Sequence, residues 1–177
     1  MKTKFNQINA KWAIVSAMAL GSAGLSAISY AATATGTMTV STTVAMSCTI
    51  SAGAMTFASY DPTASADNDA TATITSTCTS GGAAVITMGQ GNADKSGSTD
   101  ASPLRAMFNA GITEELLYQV YSDSAGGTVW GNTAATGKAI TADGTAQAFT
   151  AHGRIPKNQT GITAGTFTDS VAVTLTY

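Results

Sequence analysis

Two segments of the chain alternate between apolar and polar side chains as half-buried strands do. The first covers residues 36–44 and the second residues 171–177. The apolar-face positions of the two segments are Met38, Val40, Thr42 and Val44, and Val171, Val173, Leu175 and Tyr177. A period of two residues is typical of a strand with one face against a core. We therefore predict a strand in each segment.

The same pattern, with turn residues between the segments, predicts a series of short strands in the rest of the chain. These cover residues 48–50, 55–57, 70–78, 84–88, 105–108, 116–121, 128–131 and 149–155. Residues 89–103 and 131–145 are polar and rich in glycine, so we predict surface loops there. No segment after residue 31 has a helical period. Short strands separated by Gly, Ser and Asp turns predict an all-β sandwich of two sheets.

The first 31 residues have the composition of a secretory signal peptide. Three lysines precede an uncharged stretch at residues 12–28, and Ser29-Tyr30-Ala31 offers small residues at the −3 and −1 positions. Cleavage is therefore expected after Ala31. Serine and glycine dilute the apolar stretch below the ~20 strongly apolar residues that a membrane span prefers. We predict that the chain is exported.

Removal of that segment changes the charge balance and leaves 146 residues, enough for one domain with its own core. Five basic residues remain against ten acidic ones, a net charge of −5. Without a basic patch, nucleic acid and anionic membrane are poor candidates as partners.

Cys48 and Cys78 are the only cysteines. In an oxidising compartment an isolated pair most simply forms one disulfide, which contributes roughly 3–4 kcal/mol for a loop of this length. The alternative, a metal site, needs more ligands, and the chain has a single histidine. We predict a disulfide and no metal.

Catalytic residues are sparse. His152 could be combined with Asp169 and Ser170 as a hydrolase triad, but the chain has no Gly-x-Ser-x-Gly elbow. Asp169 and Ser170 are also neighbours at the start of a strand, so their side chains should point to opposite faces. We predict no catalytic residue and no cofactor.

Three other groups of residues allow a binding role or a structural one. Asp61, Asp67 and Asp69 lack the spacing of a calcium loop and are expected to be solvated. Trp130 and Tyr60 could form a sugar-stacking surface, although packing in the core or a hairpin is the expected role. For Arg154, in a Gly-Arg-Ile-Pro run, we expect a buried, hydrogen-bonded side chain that fixes a corner.

Several motifs in a fixed order point to a known family. They are Cys48-Thr49-Ile50, Phe57-Ala58-Ser59-Tyr60-Asp61-Pro62, Ile74-Thr75-Ser76-Thr77-Cys78, Leu117-Tyr118-Gln119-Val120-Tyr121-Ser122-Asp123, Val129-Trp130-Gly131, Gly153-Arg154-Ile155-Pro156 and Thr168-Asp169-Ser170-Val171. With them, the chain resembles the spore coat U domain family, which includes the archaic (Csu-type) chaperone–usher pilins. The resemblance covers nearly all of the chain after residue 31.

The resemblance implies an incomplete immunoglobulin-like β-sandwich that is completed by a donor strand from a neighbouring subunit. A periplasmic chaperone would lend a strand first, and an outer-membrane usher would exchange it for the strand of the next subunit. The implied organisation is a signal peptide at 1–31, a donor strand at 32–45 and a pilin domain at 46–177.

The same resemblance implies roles for specific residues. The donor residues are Met38, Val40, Thr42 and Val44, where Thr42 departs from the usual apolar residue. The terminal strand with Val171, Val173, Leu175 and Tyr177 would border the acceptor groove and face the chaperone, whose basic cleft would lie near the Tyr177 carboxylate. Cys48 and Cys78 match the disulfide pair of the family.

These inferences predict a structural pilin of a cell-surface fibre that supports adhesion and biofilm formation, with identical or related pilins, chaperone and usher as partners. Two alternatives stay open. One is a coat protein of the same fold deposited without an usher, and the other is a small exported lectin-like domain or enzyme. The alternating segment at 36–44 would then be an ordinary first strand.

Overall fold

The computed structural model describes residues 31–92, 95–109 and 114–177, so nearly all of the predicted signal peptide lies outside the described residues. The chain divides into two compact units, Met1–Ser41 and Thr42–Tyr177. In the first unit, the described residues 31–41 carry no strand.

The second unit contains eight strands. They are β1 (Cys48–Ala52), β2 (Asn68–Cys78), β3 (Ala83–Met88), β4 (Arg105–Phe108), β5 (Glu115–Tyr121), β6 (Lys138–Thr141), β7 (Ala146–Ile155) and β8 (Val173–Thr176). The described residues include no helix, which confirms the prediction of an all-β protein. Accordingly, none of them belongs to a helix with the length and apolar character that crossing a membrane requires.

The strands form two antiparallel sheets. The larger sheet has the order β1-β2-β7-β5-β4, and the smaller one has the order β6-β3-β8. Strands β1 and β2 pair with Cys48 opposite Cys78, and β2 pairs with β7 along ten residues. Strand β8 pairs with β3, with Val173 opposite Met88 and Leu175 opposite Ile86.

The core lies between the two sheets because each inner strand buries every second side chain. On β2, buried Ala72, Ile74 and Cys78 alternate with threonines that face outwards. Trp130 is completely buried, and its indole N–H donates to the Ile86 carbonyl oxygen at 2.8 Å. This confirms the expected packing role of Trp130 and excludes it from a sugar-stacking surface.

The structure corrects several element predictions. Residues 36–44 and 55–57 form no strand, and residues 128–131 contribute only an isolated bridge between Tyr121 and Val129. The region 131–145, expected to be a loop, contains strand β6. Strand β8 covers four of the seven residues expected at 171–177. A strand requires a hydrogen-bonded neighbour as well as an alternating sequence, and the alternation alone does not report that neighbour.

A disulfide joins Cys48 to Cys78, as predicted, across a sequence separation of 30 residues. It connects β1, which lies at the edge of its sheet, to the long strand β2. The cross-link therefore holds in place a strand that has a partner on one side alone.

Replacing both cysteines with alanine should lower the free energy of unfolding by about 3–4 kcal/mol, because the unfolded chain regains the freedom of the closed loop. Urea titration followed by tyrosine and tryptophan fluorescence measures the change. The reductant dithiothreitol should lower the urea midpoint of the wild type to about that of the double variant, and it should leave the midpoint of the double variant unchanged. A shift in the double variant on addition of reductant would contradict this assignment.

Candidate functional site

Two strand edges on the same side of the sandwich are unpaired within the described part of the chain. Strand β1 pairs with β2 alone, and β8 pairs with β3 alone. The two strands belong to different sheets, but they approach each other at this side of the sandwich. A free edge presents backbone N–H and C=O groups that can bind a further strand.

A groove in the core opens next to these edges. Its deeper part is a cavity of about 330 Å³ whose floor includes Ile74, Met88 and Val120. A second cavity of about 640 Å³ continues it, and the two share Met55, Phe57, Met107, Phe167 and Thr168 as lining residues. Residues 52–60 border the combined space on one side, and residues 162–173 border it on the other. We call this continuous space the groove.

The terminal segment leaves its core-facing side chains incompletely covered. Burial alternates along it, since Val171, Val173 and Leu175 are half-buried and the residues between them are exposed. These three side chains pack against the core cluster but are not enclosed by it. Tyr177 is 58% exposed. An apolar strand from elsewhere would find partly covered apolar surface here.

Gly153 lies beneath Met55 and Phe57, two residues that line the groove. It is buried in β7, where it pairs with Ala70 on one side and Val120 on the other. A Cβ atom at this position would overlap the Met55 sulfur and lie 2.7 Å from the Phe57 ring. Glycine in a strand often marks the close approach of other chain segments. Here it lets Met55 and Phe57 approach the backbone of β7 closely.

A polar contact fixes the wall of the groove just before β8. The Tyr118 hydroxyl donates to Asp169 Oδ2 at 2.6 Å, and the Asn92 amide donates to Asp169 Oδ1 at 2.8 Å. Burial, together with the hydrogen bond to Asp169, raises the pKa of Tyr118, which keeps the hydroxyl protonated as a donor. The Gly89 amide also donates to the Ala172 carbonyl at 2.8 Å. These bonds hold the segment that leads into the short edge strand.

Arg105 is the buried arginine of this fold, with 1% of its surface exposed. Its guanidinium donates to the carbonyl oxygens of Met88, Gly89 and Trp130 at 2.7–3.0 Å and to the Gln119 side-chain oxygen at 2.6 Å. Burial lowers the pKa of Arg105 to about 10, and the nearby Tyr118 and Asp169 oppose that shift. The side chain therefore stays charged near neutral pH.

The expectation for Arg154 was wrong about its burial, although the side chain is hydrogen-bonded as expected. Arg154 is not buried, and it forms a two-point ion pair with Asp69 at 2.7 Å and a longer one with Asp67 at 3.3 Å. The hydrogen bonds from Arg154 lower the pKa of Asp69. Nothing in the sequence separates the two arginines, because the position of each depends on which strands pack over it.

The side chains of the predicted donor residues are exposed. Met38, Val40 and Val44 are 86%, 83% and 77% exposed, and Thr42 is exposed as well. Monomeric proteins rarely leave a run of alternating apolar side chains in water without a use for it.

The other candidate chemistry does not come together. Asp169 accepts bonds from Tyr118, Asn92 and Ser170, with no contact to His152 among them. Within the described ranges, no group of three or more His, Cys, Asp or Glu side chains could hold a metal ion. The Tyr60 hydroxyl donates to the Pro156 carbonyl and accepts from the Gln159 amide, so it holds two loops together.

Two sheets of five and three strands, with an open groove beside two free edges, define the class of protein as an incomplete immunoglobulin-like β-sandwich. The chain belongs to the Spore Coat Protein U domain family, whose model matches residues 34–174. This confirms the resemblance stated from the sequence motifs. The Spore Coat Protein U domain family is a structural, non-enzymatic family, so the chain is not an enzyme.

Two comparisons identify individual proteins to which the chain is similar. It is 35% identical over 178 residues to Protein U of Myxococcus xanthus, covering 93% of this chain and 99% of that protein. It is also similar in fold to a chain of the chaperone–tip adhesion subunit pre-assembly complex from the archaic chaperone–usher Csu pili of Acinetobacter baumannii. That match has a TM-score of 0.57 and 18% identity, and it covers 76% of this chain and 41% of the other chain's length.

Proposed function

We propose that the protein is a structural subunit that polymerises by donor-strand exchange, with residues 32–45 of one copy lying in the groove of the next. The observation that carries the proposal is a complementary pair of features within one chain. The groove borders unpaired strand edges and half-covered apolar side chains, and the N-terminal segment presents exposed apolar side chains at alternate positions.

The energetics favour such an exchange. Burial of Met38, Val40 and Val44 would stabilise the complex by ~1.5–3 kcal/mol for each side chain, as an upper estimate. A strand added beside β8 would also satisfy backbone groups along its free edge, which is the general mode of β-strand addition. Thr42 would contribute less, because its hydroxyl needs a hydrogen-bond partner when it is buried.

Donation between copies produces a fibre. The donor segment and the acceptor groove are different surfaces, so the contact is heterologous and need not close into a ring. In this proposal a periplasmic chaperone occupies the groove before assembly, and an outer-membrane usher directs the exchange. The finished fibre lies at the cell surface, where it supports adhesion and biofilm formation.

A coat protein of the same fold is the second candidate. It is favoured by the near full-length match to Protein U and by membership of the Spore Coat Protein U domain family. In a coat, the groove would be filled without an usher-built fibre, and the protein would be deposited as short assemblies or single copies.

Denaturing gel electrophoresis of protein sheared from native cells separates the two candidates. A ladder that collapses to one band near the mature mass only after heating is expected for a strand-exchanged polymer. A single monomer band in heated and unheated lanes would sink the fibre proposal and favour the coat protein.

The groove itself can be tested with a synthetic peptide of residues 32–47. Gly153→Leu should weaken capture of that peptide about tenfold or more, because the new side chain drives Met55 and Phe57 into the space that the peptide needs. Ala148→Leu is the matched control, since Ala148 lies on the same strand and is exposed. Fluorescence anisotropy measures the affinity. Equal binding by the two variants would place the peptide outside the groove.

A further inference from the structure

The junction between the donor segment and its own domain is very short. Met46 is half-buried, packs against the core cluster, and occupies the space beside Gly82, where a Cβ atom would lie 2.6 Å from the Met46 methyl group. The backbone amide of Ser47 donates a hydrogen bond to the Thr79 hydroxyl at 3.1 Å. The Ser47 carbonyl oxygen accepts one from the backbone amide of Thr79 at 2.9 Å. The chain is therefore attached to its own fold from Met46 onwards.

The residues just before Met46 are exposed and do not pack against the domain. Val44 and Ala45 are exposed, and Val44 is the last apolar residue of the donor face. A single residue, Ala45, thus separates that face from the attached chain. Two Cα–Cα steps in an extended chain span at most about 7 Å. If Val44 lies in the groove of a neighbour, that neighbour must come close to the surface around Met46.

That surface consists of two turns, residues 79–82 and 142–145, which we call the anchored pole. The Gly81 amide donates to the Ala142 carbonyl at 2.9 Å, and the Ala142 amide donates to the Gly82 carbonyl at 2.8 Å. Asp143 accepts both the amide and the hydroxyl of Thr145, which lowers the pKa of Asp143. The anchored pole is therefore tied together by its own hydrogen bonds.

The anchored pole also presents little side chain that could keep a neighbour away. Gly81 and Gly144 have φ values of 89° and 87°, a conformation that glycine adopts without strain, and Gly144 lies against Ser80. Apart from Asp143, the exposed residues of the two turns are small or uncharged. A rigid surface of short side chains suits direct contact between two domains.

We infer that the anchored pole forms an interface with the second copy whose groove holds the donor strand. The inference rests on the proposed donor-strand exchange and adds a specific geometry to it. Each junction of the fibre is ordered by a domain–domain contact as well as by the exchanged strand, so successive subunits keep a defined angle.

Lengthening the junction tests the inference. Gly-Ser-Gly-Ser inserted between Ala45 and Met46 should leave the heat-sensitive ladder intact but broaden the distribution of angles between successive subunits about twofold or more, since Gly/Ser segments behave as flexible coils. The same four residues inserted between Thr35 and Gly36 precede the apolar donor face, which begins at Met38, and leave the junction at its native length, so they should leave the angles unchanged. Electron micrographs of negatively stained fibres give the angles.

A point substitution tests the surface separately, without a change in the length of the chain. Ser80→Arg should broaden the same distribution, because a long charged side chain would stand in the contact. Thr150→Arg, on the exposed face of β7, is the matched control and should match the wild type. Wild-type angles in Ser80→Arg fibres, or equal angles after the two insertions, would overturn the inference. Absence of any ladder from wild-type protein would instead sink donor-strand exchange itself.

Discussion

Deletion of residues 35–44 is expected to abolish fibre formation while leaving the domain folded. The deleted segment contributes no strand and carries the exposed apolar face, whereas all eight strands and the disulfide lie after it. Because the acceptor groove is untouched, the shortened chain should still bind the chaperone and should still accept a donor strand. The heat-sensitive ladder on denaturing gels should therefore disappear, with monomer and chaperone complex in its place.

A finer version of the experiment isolates the face of the segment that matters. Val40→Asp places a charge on the apolar face and should reduce ladder formation at least tenfold, since burying an unpaired carboxylate is strongly unfavourable. Thr39→Asp introduces the same charge on the opposite face and should have little effect. Wild-type fibre yield from the deletion, or equal loss from the two aspartate variants, would show that this segment is not the donor strand.

The second large effect is expected at Arg105. Arg105→Leu should destabilise the fold by about 3–5 kcal/mol. The oxygen atoms that now accept hydrogen bonds from the guanidinium would stay buried in the core without a donor. That is a large part of the 5–15 kcal/mol that typically stabilises a domain. Urea unfolding should show the loss, and the yield of folded protein should fall.

Arg154→Leu provides the matched comparison, since Arg154 also bonds through its guanidinium but does so at the surface. Its ion pairs with Asp67 and Asp69 are partly exposed, and such pairs contribute about 0.2–1 kcal/mol. The variant should therefore unfold close to the wild type. If Arg154→Leu were the more damaging of the two changes, the assignment of the buried network to Arg105 would be wrong.

The apolar pattern of the sequence predicted the long strands well. Strands β2, β5 and β7 fall where alternating residues indicated them, because each has one face on the core and one face in water. The isolated cysteine pair likewise indicated its own disulfide. In these cases the sequence shows the physical cause directly. A strand buries every second side chain, and the only two cysteines have no other partner to oxidise with.

Strand β6 and residues 55–57 show where the pattern fails. Lys138–Thr141 is a short strand next to glycine-rich sequence, and it forms because Ala83–Ile86 offers it a pairing edge. Met55 and Phe57 alternate as strand residues do, yet they cover the space over Gly153 without pairing. The deciding factor in both cases is a partner distant in sequence.

Some features of the candidate site follow from the sequence, and others depend on the tertiary structure. The sequence by itself determined the all-β class, the alternating face of residues 36–44 and the alternating face of the terminal segment, since each depends on side-chain order along one strand. Only the tertiary structure decided that β1 and β8 keep free edges, that a groove opens beside them, and that Arg105 rather than Arg154 is the buried arginine. Those properties depend on which strands pair and pack, and long-range pairing is not encoded in any single segment.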